Sequence, residues 1–374
     1  MVVAMMRNSQ VLIDQQAIFS NIKNARENLE ADSDLFVVLK ADGYGHGAVQ
    51  VAKIAQSAGA TGFCVAMLDE AMELREAGII LPILVLGITD AQWAPVAADN
   101  NISLTISSSD WLKQAAEVLF VTKASTKLKI HVALDTGMGR IGFQTPQELA
   151  EALTTLKSLS KNIEFEGIFT HFATADEKKD DYFQQQYDKF NAFMEVVSDR
   201  PKYVHVANSA TSLWHKICGG NMIRLGIAAY GLNPSQREIT ELPYDLKPAL
   251  TLTSSLVHVK MVTKGTHIGY GATYEAQKDE WIGTVPMGYA DGIARKLQGF
   301  DVLVNGHKCE IVGRVCMDQF MIRLDRKYDV GTSVVIIGKS GELQNTAEDI
   351  ADYIGTINYE VICGLQPRIK RVYF

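Results

Sequence analysis

Eight apolar, strand-like runs separated by helix-like segments occupy the chain before residue 242, and no other feature limits the fold as strongly. They lie at Leu35 to Leu39, Gly62 to Met67, Pro82 to Gly87, Ile102 to Ile106, Leu128 to Asp135, Phe165 to Phe172, Tyr203 to Asn208 and Met222 to Ala228. Helical patterns such as Ala48 to Ala58, Leu68 to Ala77, Pro146 to Leu159 and Tyr182 to Val197 fall between them. Strands buried on both faces read as continuous apolar runs, so this alternation predicts an α/β fold with a (β/α)8 TIM-like barrel over residues 14–242. An open doubly wound sheet has the same periodicity, which does not report closure.

The pattern changes after Leu242. Pro243 and Pro248 flank a linker-like stretch. Strand-like runs follow at Ala249 to Val262, Trp281 to Met287, Phe300 to Arg314, Phe320 to Leu324 and Thr332 to Gly338, with one helix at Thr346 to Ile354 ahead of Asn358 to Cys363. Asn305-Gly306 predicts a hairpin turn. Residues 243–374 are therefore expected to form a β-rich C-terminal domain, to which a short strand at the end of residues 1–13 adds an edge. A length of 374 residues fits two domains, since one core stops growing below that size.

A net charge of −7 argues against a nucleic-acid partner. No apolar run approaches the roughly 20 residues of a membrane helix. The N-terminus lacks the basic region and apolar length of a secretory signal. The five cysteines (Cys64, Cys218, Cys309, Cys316, Cys363) show no CxxC spacing, so they read as reduced thiols of a cytoplasmic protein without a metal site.

Barrel sites are built at the carboxyl ends of the strands, and polar residues stand at four predicted ends. Lys40 closes a buried strand in FVVLKADGYGHG (Phe36 to Gly47), where burial lowers an amine's pKa and lets it attack an aldehyde. A lysine snorkelling from a strand end is the plainer reading. Gly43, Gly45 and Gly47 permit backbone to approach a ligand, and Tyr44 can reach a phosphate or an aldehyde oxygen. Arg140, after the glycines of DTGMGRIGF, can grip a small carboxylate with two parallel hydrogen bonds or pair with Asp135 at the surface. His171 alone reads as structural. Asn208-Ser209 and Gly226-Ile227 offer hydroxyl and N–H donors to a phosphate, although Asn-Ser is also an ordinary helix cap. Tyr270, between glycines in IGYGATY, is either a turn aromatic or a base that needs a cation beside it. Met317 and Asp318 would otherwise be core filler and a loop cap.

These motifs, in this order, resemble those of alanine racemases over nearly the whole chain, down to the final CGLQPRIKR. The resemblance implies a fold-type III enzyme dependent on pyridoxal 5'-phosphate (PLP), with Lys40 carrying the cofactor as a Schiff base. Lys40 would serve as base for the α-proton of D-alanine and Tyr270 for that of L-alanine. Around the cofactor it places Tyr44, His171, Asn208, Ser209, Gly226, Ile227 and Tyr359, with Arg224 facing the pyridine nitrogen. Arg140 and Met317 would meet the substrate carboxylate, while Asp176, Tyr289, Arg295 and Arg314 line the entrance. It further implies a head-to-tail homodimer whose sites are shared, and a role in supplying D-alanine for peptidoglycan. An arginine stays protonated, so a ring nitrogen facing it stays unprotonated; PLP decarboxylases of the same architecture use an acidic residue there. One position departs from the pattern. Ala133 stands where many members carry a carbamylated lysine, so Arg140 needs another counter-charge, such as chloride. The competing readings are a serine or broad-specificity racemase, a PLP-dependent decarboxylase and a non-catalytic PLP-binding barrel.

Overall fold

The computed structural model describes every residue except Met1, Val2, Ala4, Ser125, Lys216 and Ile217. The chain forms two compact units: Gln16–Gly43 with Ala48–Lys247, and Met1–Gln15 with Tyr44–Gly47 and Pro248–Phe374.

Numbered along the chain, strand β1 (Gln10–Ile13) belongs to the second unit. The first contains β2 (Asp34–Val38), β3 (Gly62–Val65), β4 (Ile83–Ile88), β5 (Ile102–Ile106), β6 (Leu128–Ala133), β7 (Ile163–Phe169), β8 (Tyr203–His205) and β9 (Met222–Leu225). Neighbours pair in parallel in the order β8-β7-β6-β5-β4-β3-β2-β9. The parallel Ala207–Ile223 bridge joins the two ends, which decides for the barrel over the open sheet. Helices α1 (Gln15–Glu27), α2 (Ala48–Ser57), α3 (Leu68–Glu76), α4 (Ala94–Asp99), α5 (Ser109–Thr122), α6 (Pro146–Ser158), α7 (Asp181–Met194) and α8 (Ser209–Trp214) alternate with the strands. Their starts are written locally. The side chains of Ser108, Thr145 and Asn208 each accept a backbone N–H of the first turn, and Pro146 follows Thr145 where a missing N–H costs nothing.

Several strands end sooner than their apolar runs: β7 stops at Phe169, β8 at His205 and β9 at Leu225. Most of the trailing residues stay buried, and apart from Ala207 in its bridge to Ile223 they leave the ladder; composition alone does not separate a buried loop residue from a paired one.

The second unit adds β10 (Leu250–Ser255), β11 (His258–Val262), β12 (His267–Ile268), β13 (Tyr274–Glu275), β14 (Glu280–Val285), β15 (Asp301–Val304), β16 (His307–Val312), β17 (Phe320–Leu324), β18 (Ser333–Ser340), β19 (Leu343–Asn345) and β20 (Lys370–Tyr373), with helices α9 (Ala347–Ile354) and α10 (Asn358–Cys363). A ten-stranded sheet runs through it, and β1 lies between β10, antiparallel, and β20, parallel. Asn305 and Gly306 both take positive φ (46° and 80°) and turn β15 into β16. The expected single run over Ala249 to Val262 breaks at Leu256-Val257, because β10 pairs with β18 while β11 pairs with β14. A cavity of about 210 Å³ in this unit is lined mainly by Leu252, Leu297, Ile336, Ile350 and Leu365 and includes Tyr289. Among the described residues, no helix is long and apolar enough to cross a membrane.

Candidate active site

Lys40 does not end the strand; it opens a left-handed turn. Ala41 (φ 54°), Asp42 (φ 52°), Gly43 (φ 58°) and Tyr44 (φ 51°) all lie in the left-handed region, and the Gly43 N–H donates to the Leu39 carbonyl at 2.7 Å. Each non-glycine residue there costs about 1–2 kcal/mol, so neighbouring groups must hold the turn. Glu70, in α3, takes that part. One of its oxygens accepts the Ala41 N–H (2.7 Å), and the other accepts those of Ala66 (2.7 Å) and Met67 (3.2 Å) beyond β3. Asp42 accepts the Ala48 N–H at 2.9 Å. Glu70→Ala is expected to cost about 2 kcal/mol, since bonds to a charged acceptor are worth roughly 1.5–3 kcal/mol each and water recovers part at a half-buried site. Urea unfolding measures this, and an unchanged midpoint would mean that the turn holds without the clamp.

The glycines after Lys40 make room for other parts of the protein. A Cβ on Gly43 would press on Ala48, one on Gly45 on the Ile362 carbonyl, and one on Gly47 on the Tyr373 hydroxyl. These close approaches are to the protein itself. Arg371 Nε donates to the Gly45 carbonyl (3.1 Å) and the Tyr373 hydroxyl to that of His46 (2.9 Å).

The other predicted residues of the first unit gather at the carboxyl ends of its strands. Asp135 Oδ1 accepts the N–H groups of Gly137 (3.0 Å) and Gly139 (2.9 Å), so it shapes the loop that presents the exposed Arg140. Ala133 is fully buried as the last residue of β6. Ser209 Oγ accepts the Gly226 N–H (2.8 Å) and the Ala228 N–H (3.4 Å), leaving its own proton to donate outward. Asp176 is half-buried before α7. Burial, with Glu177 and Glu238 nearby, raises its carboxyl above the usual range.

Arg224, on β9, is almost wholly buried. One of its NH groups donates to the His205 carbonyl (3.0 Å) and His205 Nδ1 (2.7 Å), the other to the Thr170 carbonyl (3.0 Å) and His171 Nδ1 (3.3 Å). Burial pushes its pKa down to about 10, which leaves it charged near neutrality. Burial first, then the cations Arg224, Arg140 and Lys40, hold His171 well below the ordinary histidine value, so these four groups share one electrostatic neighbourhood. A neutral imidazole that accepts at Nδ1 carries its proton on Nε2. His171 Nε2 faces the Asn208 amide nitrogen, itself a donor, at 3.5 Å, while Asn208 Oδ1 is occupied by Thr211. The His171 Nε2–H is therefore directed to an acceptor that these residues do not supply.

In the second unit Tyr44 and Tyr359 bring their rings to 6.1 Å. Loop 313–319 collects the other predicted residues. The turn Gly269-Tyr270-Gly271 packs on it, with the Arg314 guanidinium beside Gly271. Tyr289 N–H donates to the Cys316 carbonyl and Ala290 N–H to that of Met317, both at 3.0 Å, which ties this loop to the 288–290 segment. Gly288 is required at this crossing, because a Cβ would collide with both carbonyls. Tyr270 (69% exposed), Met317 (54%) and Tyr289 (45%) are left open on this surface, and Arg295 lies exposed in a short turn nearby in sequence.

Sequence reasoning missed Glu70 and Asp291, and deeper in the barrel it missed Ser103, His131, Glu166 and His205. The barrel residues left a signal: each is a polar side chain inside an otherwise apolar strand, as in KIHVA, FEGIF and YVHVA.

The family model described as "Alanine racemase, N-terminal domain" matches residues 13–234, and "Alanine racemase, C-terminal domain" matches residues 249–373. The alanine racemase of Lactiplantibacillus plantarum is 56% identical, over 98% of each chain. The crystal structure of alanine racemase from E. faecalis superposes with a TM-score of 0.96 at 50% identity, covering 100% of both chains. A histidine racemase from Leuconostoc mesenteroides superposes with a TM-score of 0.94 at 35% identity, again over 100% of both.

Proposed function

Because the chain belongs to the alanine racemase family, a family of isomerases, we propose that it interconverts L- and D-alanine with pyridoxal 5'-phosphate as cofactor. The donor set at the barrel mouth fits that group. The Ser209 hydroxyl, whose oxygen already accepts the Gly226 and Ala228 N–H groups, keeps its proton to donate to a phosphate, and the resemblance adds Gly226, Ile227, Tyr44 and Tyr359 to that group's neighbours. Arg224 can only donate, which suits a ring nitrogen kept as an acceptor, and the amine of Lys40 suits an aldehyde. When bound, the cofactor supplies an electron-withdrawing system that lets an α-proton leave.

The residues do the rest. Lys40 removes or returns the proton on one face, and Tyr270 of the partner subunit does so on the other. Arg140 and the partner's Met317 hold the substrate carboxylate, while Asp176 and the partner's Tyr289, the partner's Arg295 and the partner's Arg314 border the entrance. His171, donating from Nε2, suits the oxygen of a phenolate base. The observation that carries this reading is Arg224, whose partners among the described residues are neutral acceptors; an acidic residue at that place would instead suit a decarboxylase. The resemblance implies a head-to-tail homodimer, with which the exposure of Tyr270 and Met317 is consistent, and a cytoplasmic supply of D-alanine to peptidoglycan is the role such an enzyme fills.

Tyr270→Phe tests the reading. The variant is expected to retain the cofactor and lose racemisation by roughly 10²–10⁴-fold, the range for one acid–base group. Residual α-proton exchange should survive for D-alanine only, as followed by NMR in deuterated water. Exchange of both enantiomers at the parent rate would remove Tyr270 from the chemistry.

The histidine racemase of the same fold favours a second reading, a racemase of wider range. Chiral assays with L-alanine, L-serine and L-histidine separate the two. A pocket distinguishes alanine from serine by only about 1–3 kcal/mol, so serine turnover some 10–200-fold slower is compatible with an alanine enzyme. Histidine turned over faster than alanine is not.

A further inference from the structure

A line of polar side chains runs through the barrel away from the mouth. His205 Nε2 lies 2.8 Å from His131 Nδ1, and His131 Nε2 lies 3.2 Å from Glu166 Oε2. Glu166 also accepts from the Ser103 hydroxyl and pairs, through Oε1, with Lys129 at 3.5 Å. His131, His205 and Glu166 are nearly inaccessible to solvent. The backbone is shaped to admit them. Register slips between Ile130 and His131 so that Glu166 has no partner in the ladder, and a Cβ on Gly167 would collide with the His131 ring.

Chemistry fixes the direction of every bond. A guanidinium has no acceptor, so His205 accepts from Arg224 at Nδ1 and carries its proton on Nε2. That proton is donated to His131 Nδ1, which places the His131 proton on Nε2, and this one is donated to the carboxylate. No link can be reversed while Arg224 holds its end, and bonds aligned this way polarise one another. Burial, followed by the charge of Arg224, keeps His205 well below the ordinary histidine value, and burial likewise keeps His131 low, so both rings are neutral. Burial opposes the Glu166 charge, but the bonds from His131 and Ser103 prevail and hold its carboxyl down to about 2.

We propose that His205, His131 and Glu166 are positioning residues for Arg224, a one-way hydrogen-bonded chain that ends on an ionised carboxylate and fixes the plane and the protonated state of the guanidinium. A cation at the mouth thus has its counter-charge two imidazoles away, which leaves the mouth side of Arg224 free of any carboxylate. The proposal rests on the reading that Arg224 faces the cofactor.

Two measurements test it. In the holoenzyme labelled with ¹⁵N-histidine, His205 and His131 are expected as pure Nε2–H tautomers; an Nδ1–H tautomer at either overturns the chain and needs no variant to show it. Glu166→Gln keeps an acceptor for His131 but removes the charge. It is expected to lower kcat for alanine roughly 10–100-fold, the range for outer-shell partners, with KM little changed and a shifted visible band of the bound cofactor. A merely structural Glu166 would alter stability alone, and parent kcat with the parent spectrum in the folded variant overturns the proposal. Should the parent enzyme fail to racemise alanine, the assigned reaction falls while the tautomer result stands by itself.

Discussion

Lys40→Ala is expected to abolish racemisation and to remove the visible absorbance of a lysine-bound cofactor. Two groups pin the turn that begins at Lys40: Glu70 on the Ala41 N–H and Asp42 on the Ala48 N–H. The lysine Cα is therefore fixed against the end of β2, in a backbone conformation that the chain holds at a cost. After burial and the nearby arginines, its charge also acts on His171 and Cys64. A nucleophile that is also a base leaves no partial function behind when removed, and a loss beyond 10³-fold is the expectation. Lys40→Arg keeps the charge without the nucleophile and should lose as much, which separates covalent from electrostatic roles. Borohydride reduction of the parent enzyme, followed by peptide mass spectrometry, should find the cofactor on the Lys40 peptide. Cofactor trapped on another lysine in Lys40→Ala, with turnover intact, would sink this assignment.

What the sequence disclosed and what it hid divide along a physical line. Fold class was legible because each strand of a parallel barrel is apolar on both faces, and three of the helices carry a capping side chain at their start, Ser108, Thr145 and Asn208. The hairpin at Asn305-Gly306 was legible because positive φ at both positions selects those residue types. The purpose of Gly45 and Gly47 was not. Their missing side chains make room for Ile362 and Tyr373, more than 300 residues on, and nothing local records that. Glu70 was hidden for a related reason: on an amphipathic helix a glutamate reads as solvated surface until the turn it holds is in view. The alternation of β7 is broken by the bulge at Glu166, so a period-two reading does not predict which way that carboxylate points.

Asp291 shows the same limit most plainly, and Asp291→Ala should have the largest effect on stability. Asp291 follows the strand-like run Trp281 to Met287 with nothing in the sequence to mark it, yet this side chain is completely buried. It pairs with Arg7 at 2.6 Å and Arg368 at 2.9 Å, and it accepts the Gly288 N–H at 2.9 Å. Removing one member of such a buried set typically costs about 3–5 kcal/mol, because the remaining charges stay desolvated. Here the guanidiniums are partly exposed and can rehydrate, which places the expectation near the lower end, about 3 kcal/mol. Asp318 is the control. It meets Arg368 at 2.7 Å but is 56% exposed, so Asp318→Ala should cost no more than about 1 kcal/mol. The functional consequence runs through Gly288, whose segment meets the carbonyls of Cys316 and Met317. Once loosened, it misplaces Met317, and the KM for alanine should rise about tenfold while bound cofactor is unchanged, as for a group that contributes binding rather than chemistry. Urea unfolding and steady-state kinetics of the two variants decide the matter, and equal midpoints for Asp291→Ala and Asp318→Ala would refute the buried network as the anchor of that loop.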